Sequence, residues 1–136
     1  MSKKVFISGP IQGMENDQGY RGVITRLCSK FGYEVIDPWL REKAIYRKDE
    51  PCWWSKVPPS DFVNRDLEDV EKCDILVAYL PRLSAGSCME LFQAKRRGKK
   101  VLIVSDMPCI SPWIVVHSDA ILTNFEQLEN VLANSL

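Results

Sequence analysis

The chain alternates between short, continuous apolar runs and segments in which apolar residues recur at helical spacing. A short apolar run bounded by polar residues is typical of a strand that is buried on both faces of a parallel sheet. The runs predicted as strands are Lys4–Ser8, Tyr33–Asp37, Asp74–Leu80, Lys100–Ser105 and the weaker Asp119–Leu122. The segments predicted as helices are Tyr20–Phe31, Asp61–Lys72, Gly86–Arg97 and Asn124–Ala133. This alternation predicts a single α/β domain with a doubly wound parallel sheet flanked by helices.

The predicted topology indicates where a ligand would bind. Right-handed crossovers favour the strand order 2-1-3-4-5 for five strands in a small sheet of the flavodoxin or Rossmann type. In such open sheets, ligands bind beyond the carboxyl ends of the strands, at the switch point between the first and third strands. In this chain those ends are Ser8-Gly9-Pro10 and Pro81–Ser87. We therefore expect the functional residues in these two loops and in the helices that follow them.

One connection is much longer than the usual handful of residues between a strand and a helix. It runs from about residue 38 to residue 59 and carries Trp39, Tyr46, Trp53 and Trp54. This is too much aromatic surface for a solvated linker. Two interpretations remain open: a lid that covers a planar ligand, or aromatic residues that pack the segment onto its own domain or onto a dimer partner.

Length and charge exclude several classes of protein. The chain has 136 residues, with 18 Lys+Arg against 18 Asp+Glu, and a chain of this size holds a core without a metal or a disulfide. The balanced charge argues against a nucleic-acid polymer as partner. No apolar run approaches the roughly 20 residues that cross a bilayer, and the chain starts without a signal-like apolar segment. A cytoplasmic protein without a membrane partner is expected.

The cysteines give no sign of a metal site. They are Cys28, Cys52, Cys73, Cys88 and Cys109, and the only histidine is His117. An odd count without a CxxC pair argues against structural zinc. We expect the cysteines to be small buried apolar residues in a reducing compartment, and we predict no metal.

Glu90 is a candidate for chemistry. The segment Ser84–Glu90 runs from the end of a predicted strand into a helix, which predicts Glu90 in the first helical turn. There the positive field of the helix terminus would lower the pKa of the carboxyl group and keep it ionised, as a nucleophile must be. The alternative is that Ser87-x-x-Glu90 forms a capping box, in which Glu90 only satisfies backbone donors.

Asp66 is a second candidate, because it lies on the inward edge of its predicted helix, between Val63 and Val70. An acid on that edge needs a partner or a ligand, whereas a solvated helix acid is the ordinary alternative. Together with Glu90 it could supply a carboxylate pair at one cleft, as glycosyl transfer requires. The loop Ser8–Gly13 offers backbone donors and close approach, and an ordinary tight turn explains it equally well.

Five segments carry a resemblance to a known family. They are Val5–Pro10, Arg65–Glu68, Cys73–Ala78, Ser84–Leu91 with Ala94, and Gly98–Val101. In combination they resemble the nucleoside 2-deoxyribosyltransferase family over most of the chain outside the Trp-rich segment. That family includes transferases that exchange bases between deoxynucleosides. It also includes relatives that hydrolyse the N-glycosidic bond of nucleoside 5′-monophosphates.

The resemblance implies a role for each matching residue. Glu90 matches the nucleophile that attacks the anomeric carbon, and Asp66 matches the acid that orients and protonates at the base. The residues implied or expected to contact substrate are Phe6, Ser8, Gly9, Pro10, Ile11, Ser84, Gly86, Ser87, Trp53, Trp54 and, from a neighbouring subunit, Ser111. No cofactor is implied. The implied partners are a small nucleoside or nucleotide and further copies of the chain, in a homo-oligomer with shared active sites.

Three positions depart from the pattern of the family. Members commonly carry on the first strand a Tyr whose hydroxyl holds the nucleophile, where this chain has Phe6. Another group therefore orients Glu90, or the activity is weakened. Ser84 stands where the transferases tend to have Asp, and the monophosphate hydrolases have a Ser there. Gln12, however, lies in a first loop that lacks the arginine of those hydrolases. The choice between nucleoside and nucleotide stays open, as does a non-catalytic nucleotide-binding or sensing module that kept the pocket.

Overall fold

The structure is a computed structural model that describes residues 2–44, 52, 55 and 57–134. Five parallel strands form one sheet in the order β2-β1-β3-β4-β5. The strands are β1 (Lys4–Ser8), β2 (Glu34–Ile36), β3 (Ile75–Tyr79), β4 (Lys100–Val104) and β5 (Ala120–Leu122). The predicted α/β class and strand order are confirmed.

The helices of the described chain cover both faces of the sheet. They are α1 (Gly19–Lys30), α2 (Trp39–Glu42), α3 (Pro59–Lys72), α4 (Ala85–Arg96), α5 (Pro112–Val116) and α6 (Phe125–Asn134). The sequence predicted α1, α3, α4 and α6 but missed α2 and α5. These two helices have only 4 and 5 residues, which is too short for a helical period to be visible.

The strands bury their side chains in two separate cores because successive residues of a strand point to opposite faces. On β1, Val5 and Ile7 join the core with α1 and α6, whereas Phe6 joins the core with α3, α4 and α5. Each large apolar side chain buried in this way contributes about 1.5–3 kcal/mol. The two cores explain why the strands read as continuous apolar runs.

The topology brings three chain segments together at the carboxyl ends of β2, β1 and β3. Ser8 at the end of β1 pairs with Ala78 near the end of β3, and the loops that follow lead into α1 and α4. The loop after β1 packs tightly, because a Cβ atom at Gly9 would overlap the ring of Tyr20. On the other side, α2 directly follows β2. The site described below lies among these segments.

The cysteines are all free: Cys28 and Cys73 are buried, Cys88 is half-buried, and Cys52 and Cys109 are exposed. Burial raises the pKa of the Cys28 thiol to about 12 and that of Cys73 to about 11. The prediction of buried apolar cysteines is confirmed for these two and is wrong for Cys52 and Cys109, which are exposed on connecting segments. In the part of the chain that the structure describes, no helix combines the length and apolar character needed to span a membrane.

Candidate active site

A cavity of about 310 Å³ opens at the switch point between β1 and β3. It is walled by the loop after β1, by α1, by the segment after β2, by α3 and by the N-terminal half of α4. Of the predicted site residues, those lining it are Gly9, Ile11, Asp66, Ser84, Gly86, Ser87 and Glu90. The fold therefore joins residues from distant parts of the chain where the topology predicted a ligand.

Glu90 enters the cavity from the second turn of α4, not from the first. Ser84 is the N-cap of this helix, with extended backbone angles of φ −142° and ψ 144°, and its side chain accepts a hydrogen bond from the Ser87 N–H. The predicted capping box of Ser87 and Glu90 is therefore wrong, because the N-cap residue is Ser84, three residues before Ser87. The carboxylate of Glu90 instead accepts a hydrogen bond from the Ser8 hydroxyl, with 2.6 Å between Oγ and Oε1.

The pKa of Glu90 is raised to about 7, mainly because burial penalises the charged carboxylate. The hydrogen bond from Ser8 lowers this pKa, the negative charge of Asp66 raises it, and Arg21 lowers it. The predicted lowering by the helix terminus is wrong. The field of a helix end is strongest within its first turn, and Glu90 lies beyond that turn, where desolvation dominates.

The hydroxyl that contacts Glu90 comes from Ser8, two residues beyond Phe6 on the same face of β1. Phe6 itself is fully buried in the core and does not line the cavity. A hydroxyl therefore contacts Glu90 although position 6 supplies none. The sequence named Ser8 only as a loop residue expected to touch substrate, and not as the partner of Glu90.

Asp66 lies on α3 with its carboxylate in the cavity wall, and it is 9% exposed. The expected inward orientation is confirmed. Its partner is Arg41 of α2, whose Nη2 atom lies 3.1 Å from Asp66 Oδ1 and 2.6 Å from Asp69 Oδ2. This bridge ties α2 to α3.

Glu42, the last residue of α2, is a third carboxyl group in the cavity wall, and the sequence analysis missed it. It is 3% exposed, and burial raises its pKa far above the usual range for Glu. A hydrogen bond to Asp66 and the negative charges of Asp66 and Glu90 act in the same direction. No sequence signal marked Glu42, because its helix is too short to show a period.

The remaining predicted residues lie elsewhere. Pro10 does not line the cavity, and its carbonyl accepts a hydrogen bond of 2.9 Å from Gln18. Ser111 caps α5 and lines a second, more apolar cavity of about 460 Å³ on another side of α4. Trp53 and Trp54 lie outside the described residues, so the lid remains a prediction.

Metal-ligating residues are not grouped in the described ranges. No set of three or more His, Cys, Asp or Glu side chains there is arranged to hold a metal ion. The arrangement offers three carboxyl groups in one cavity wall, and one of them, Glu90, is held by the hydroxyl of Ser8.

A family comparison agrees with this geometry. The family model described as nucleoside 2-deoxyribosyltransferase matches residues 5–132. The chain belongs to this family. Family membership supports a nucleoside deoxyribosyltransferase-like function, with a nucleoside as small-molecule partner. No curated protein matches the chain by sequence.

Solved structures of family-like fold cover nearly the whole chain. A 2-deoxyribosyltransferase from Bacillus psychrosaccharolyticus is 18% identical, with a TM-score of 0.71 over 93% of this chain and 90% of that one. A conserved protein from Enterococcus faecalis V583 is 17% identical, with a TM-score of 0.80 and all of both chains covered. The CMP N-glycosidase of Clostridium botulinum is 18% identical, with a TM-score of 0.61 over 96% of this chain and 98% of that one. At these identities the structures show the shared fold.

Proposed function

We propose that the protein cleaves the N-glycosidic bond of a (deoxy)nucleoside or its 5′-monophosphate through a glycosyl-enzyme intermediate on Glu90. The observation that carries this proposal is the 2.6 Å hydrogen bond from Ser8 to Glu90. It fixes one carboxylate at the wall of a cavity that Asp66 also lines. Family membership supports this reaction class.

The reaction has two steps. An oxygen of Glu90 attacks the anomeric carbon from one face of the sugar, and the electron pair of the C–N bond leaves with the base. Asp66 lies in the same cavity and supplies the proton that makes the base a neutral leaving group. A second base or a water molecule then displaces Glu90, so that the two inversions give net retention.

The end of the cavity at α4 supports a monophosphate as one substrate. Ser84, Gly86 and Ser87 line the cavity at the N-terminus of this 12-residue helix, where backbone N–H groups and the helix dipole favour an anion. The Ser87 hydroxyl is buried in this wall, and it has no hydrogen-bond partner among the described residues. In the first loop, Gln12 lines the cavity where an arginine would add a positive charge. Both nucleosides and nucleotides therefore belong in the test.

The aromatic part of the substrate also needs a surface. Phe62 of α3 lines the cavity and offers an apolar ring. We propose in addition that Trp53 or Trp54 of the Trp-rich segment stacks on the base, as the sequence suggests. Replacing both residues with alanine would then weaken substrate binding more than it slows the chemical step.

We further propose that the protein forms a homo-oligomer in the cytoplasm. Leu83, Met89, Phe92 and Trp113 surround the second cavity and are exposed, with Trp113 at 77%. A contiguous apolar surface of this kind is typical of an interface. Ser111 lies beside it, so a neighbouring copy that packs here could receive this hydroxyl in its own site. The free cysteines support a reducing compartment.

The proposed function is tested by base release. The purified protein is incubated with ribonucleosides, deoxyribonucleosides and their 5′-monophosphates, with and without an acceptor base, and the free base is measured. Wild type should release base, and Glu90→Gln should release at least about 10³-fold less, because the covalent step is lost. Exchange only with an acceptor indicates a transferase, and release in water indicates a hydrolase.

Glu126→Gln is the matched control, since Glu126 is an exposed acid in the first turn of α6. It should retain wild-type activity. Equal activity of wild type and Glu90→Gln would contradict the proposal.

The alternative is a nucleotide-binding module that kept the pocket and lost catalysis. The absence of a hydroxyl at Phe6 favours it, whereas the hydrogen bond from Ser8 to Glu90 supports the catalytic proposal. Tight binding of a nucleotide by wild type without any base release would favour this alternative.

A further inference from the structure

Glu42 and Asp66 are two carboxyl groups in the wall of the same cavity, and a hydrogen bond between them is one of the causes that raise the pKa of Glu42. Two ionised carboxylates offer only acceptors, so a hydrogen bond between them requires that one carries a proton. Glu42 is buried, and its Oε1 atom has no hydrogen-bond partner among the described residues. The pair therefore presents a proton next to the space where the substrate is proposed to lie.

The surrounding charges favour one proton on this pair. Arg41 of α2 forms ion pairs with Asp66 and Asp69, which stabilises negative charge on the α3 side. Arg21 of α1 forms an ion pair with Asp37, with 2.8 Å between Arg21 Nη1 and Asp37 Oδ1. Among the described residues, neither arginine forms an ion pair with Glu42, so its charge would be buried without a direct counter-ion.

The titration of Glu42 agrees with this geometry. Burial, the hydrogen bond to Asp66 and the charges of Asp66 and Glu90 all raise the pKa of Glu42, and only Arg21 lowers it. Glu42 consequently keeps its proton at neutral pH. Two neighbouring carboxyl groups in a buried site commonly hold one proton between them.

We propose that Glu42 and Asp66 share one proton and deliver it through Asp66 to the departing base. This inference rests on the proposed function, because it names the source of the proton for the same bond cleavage. Glu42 acts through Asp66 and is therefore a positioning residue that also stores the proton. A residue of the segment after β2 thereby becomes part of the reaction.

The step balances as follows. The Glu90 oxygen forms a bond to the anomeric carbon while the C–N bond breaks, and its electron pair goes to the base nitrogen. The one proton that the pair shares passes from Glu42 to Asp66 and from Asp66 to the base. The pair then holds no proton, and Arg41 contacts its extra negative charge. An acceptor base or the attacking water returns the proton in the second step.

The test compares two leaving groups in wild type and Glu42→Gln. One substrate is the nucleoside or nucleotide that wild type cleaves fastest, whose base leaves with a proton. The other is 4-nitrophenyl 2-deoxyriboside, whose nitrophenolate leaves without one. The rate of the first turnover is measured for each, so that the second step does not mask the first.

In Glu42→Gln the first turnover should slow by about 10²-fold on the natural substrate, as expected for lost proton donation. On the nitrophenyl substrate it should stay within about threefold of wild type. Asp69→Asn is the matched control, because it alters another buried acid that contacts Arg41 and keeps Glu42. It should leave the ratio of the two rates unchanged.

The pH profile supplies a second readout. The charged groups that face Glu42 are Asp66 on α3, Glu90 on α4, Arg21 on α1 and its neighbour Arg41. In wild type, cleavage of the natural substrate should fall at alkaline pH as the pair loses its proton. Cleavage of the nitrophenyl substrate should show no such fall, because no proton is needed.

Three results would overturn the inference. Wild-type rates for Glu42→Gln on both substrates, or equal losses on both, would show that Glu42 does not handle the proton. If Glu42→Gln does not fold, infrared spectroscopy of wild type at pH 8 decides the question, since the carbonyl band of a protonated carboxyl group should be present. Its absence would overturn the inference. If wild type cleaves neither substrate, the proposed function itself fails, which is a distinguishable outcome.

Discussion

The carboxyl group of Glu90 is buried, so its ionisation lowers the stability of the folded protein. Burial raises its pKa from 4.5 in the unfolded chain to about 7 in the folded protein. Between these values the folded protein binds a proton at Glu90 that the unfolded chain releases. Stability from this group is therefore complete below pH 4.5 and is lost as the pH rises through 7. Above that pH the buried charge destabilises the fold, and the charged form is the one that the proposed mechanism uses as nucleophile.

Glu90→Gln should therefore stabilise the protein at high pH. We expect its free energy of unfolding at pH 8 to exceed that of wild type by about 1–3 kcal/mol, and the gain to vanish at pH 4. Urea denaturation at the two pH values measures this difference. Glu126→Gln should show no pH-dependent gain, and a destabilised Glu90→Gln at pH 8 would contradict the expected burial of the charge.

Ser8→Ala should shift the pH dependence of catalysis. The Ser8 hydroxyl stabilises the ionised form of Glu90, so its removal raises the pKa of Glu90 further. The acid limb of the kcat/KM profile should move to higher pH. Below pH 7, kcat/KM should fall by about tenfold relative to wild type, because a hydrogen bond to a charged group contributes about 1.5–3 kcal/mol.

Ser105→Ala is the matched control for this measurement. Ser105 is also buried, and it follows β4, but its hydroxyl donates to the neutral carbonyl of Leu80. It should leave the acid limb in place. A limb that stays in place in Ser8→Ala would show that the hydroxyl does not set the ionisation of Glu90.

Sequence reasoning found Glu90 and Asp66 but misjudged what surrounds them. Both residues lie on long helices beside strand ends, so spacing and topology were sufficient to bring them together. The pKa of Glu90 was predicted in the wrong direction because desolvation depends on the whole cavity wall. Glu42 and the role of Ser8 depend on contacts between residues distant in sequence, which no local pattern records.

At the scale of elements, the short helix α2 decides the shape of the cavity. It contributes Glu42 to the wall, and Arg41 attaches it to α3 through two carboxylates. A four-residue helix has little stability of its own, so its position depends on such tertiary contacts. The sequence could predict strands and long helices from periodicity, but a helix of this length shows none.

Arg41→Met should loosen α2. The substitution keeps much of the apolar stem and removes both ion pairs, so we expect the backbone amides of 39–44 to exchange hydrogen about tenfold faster or more. Hydrogen exchange measured by mass spectrometry tests this expectation. Arg97→Met breaks an exposed ion pair with Glu71 and should leave these amides unchanged. Unchanged exchange in Arg41→Met would show that the bridge does not hold α2.

At the scale of the whole molecule, the topology was predictable and the assembly was not. Right-handed crossovers allow few arrangements of five parallel strands, and the observed order is the one that the sequence analysis favoured. An oligomer depends on the surface, where exposed apolar residues carry no periodic signal of their partner. The homo-oligomer therefore remains a proposal, as does the lid, whose tryptophans Trp53 and Trp54 lie outside the described residues.

Trp113→Glu should dissociate the proposed oligomer. Trp113 is 77% exposed beside the second cavity, and a charge there would have to be desolvated in an interface. Sedimentation analysis should show a dimer or larger species for wild type and a monomer for the variant. Ser29→Glu adds a charge on α1, which covers the other face of the sheet, and should leave the mass unchanged. A monomeric wild type would contradict the proposal.

The most direct test of the account is to trap the covalent intermediate. A nucleoside with fluorine at the 2-position of the sugar destabilises the charged transition state and slows release of the sugar from the enzyme. Intact-mass measurement of wild type should show addition of one fluorinated sugar, and peptide mapping should place it on Glu90. Glu90→Gln should gain no mass. Base release by wild type without any adduct, or an adduct on another residue, would contradict Glu90 as the nucleophile.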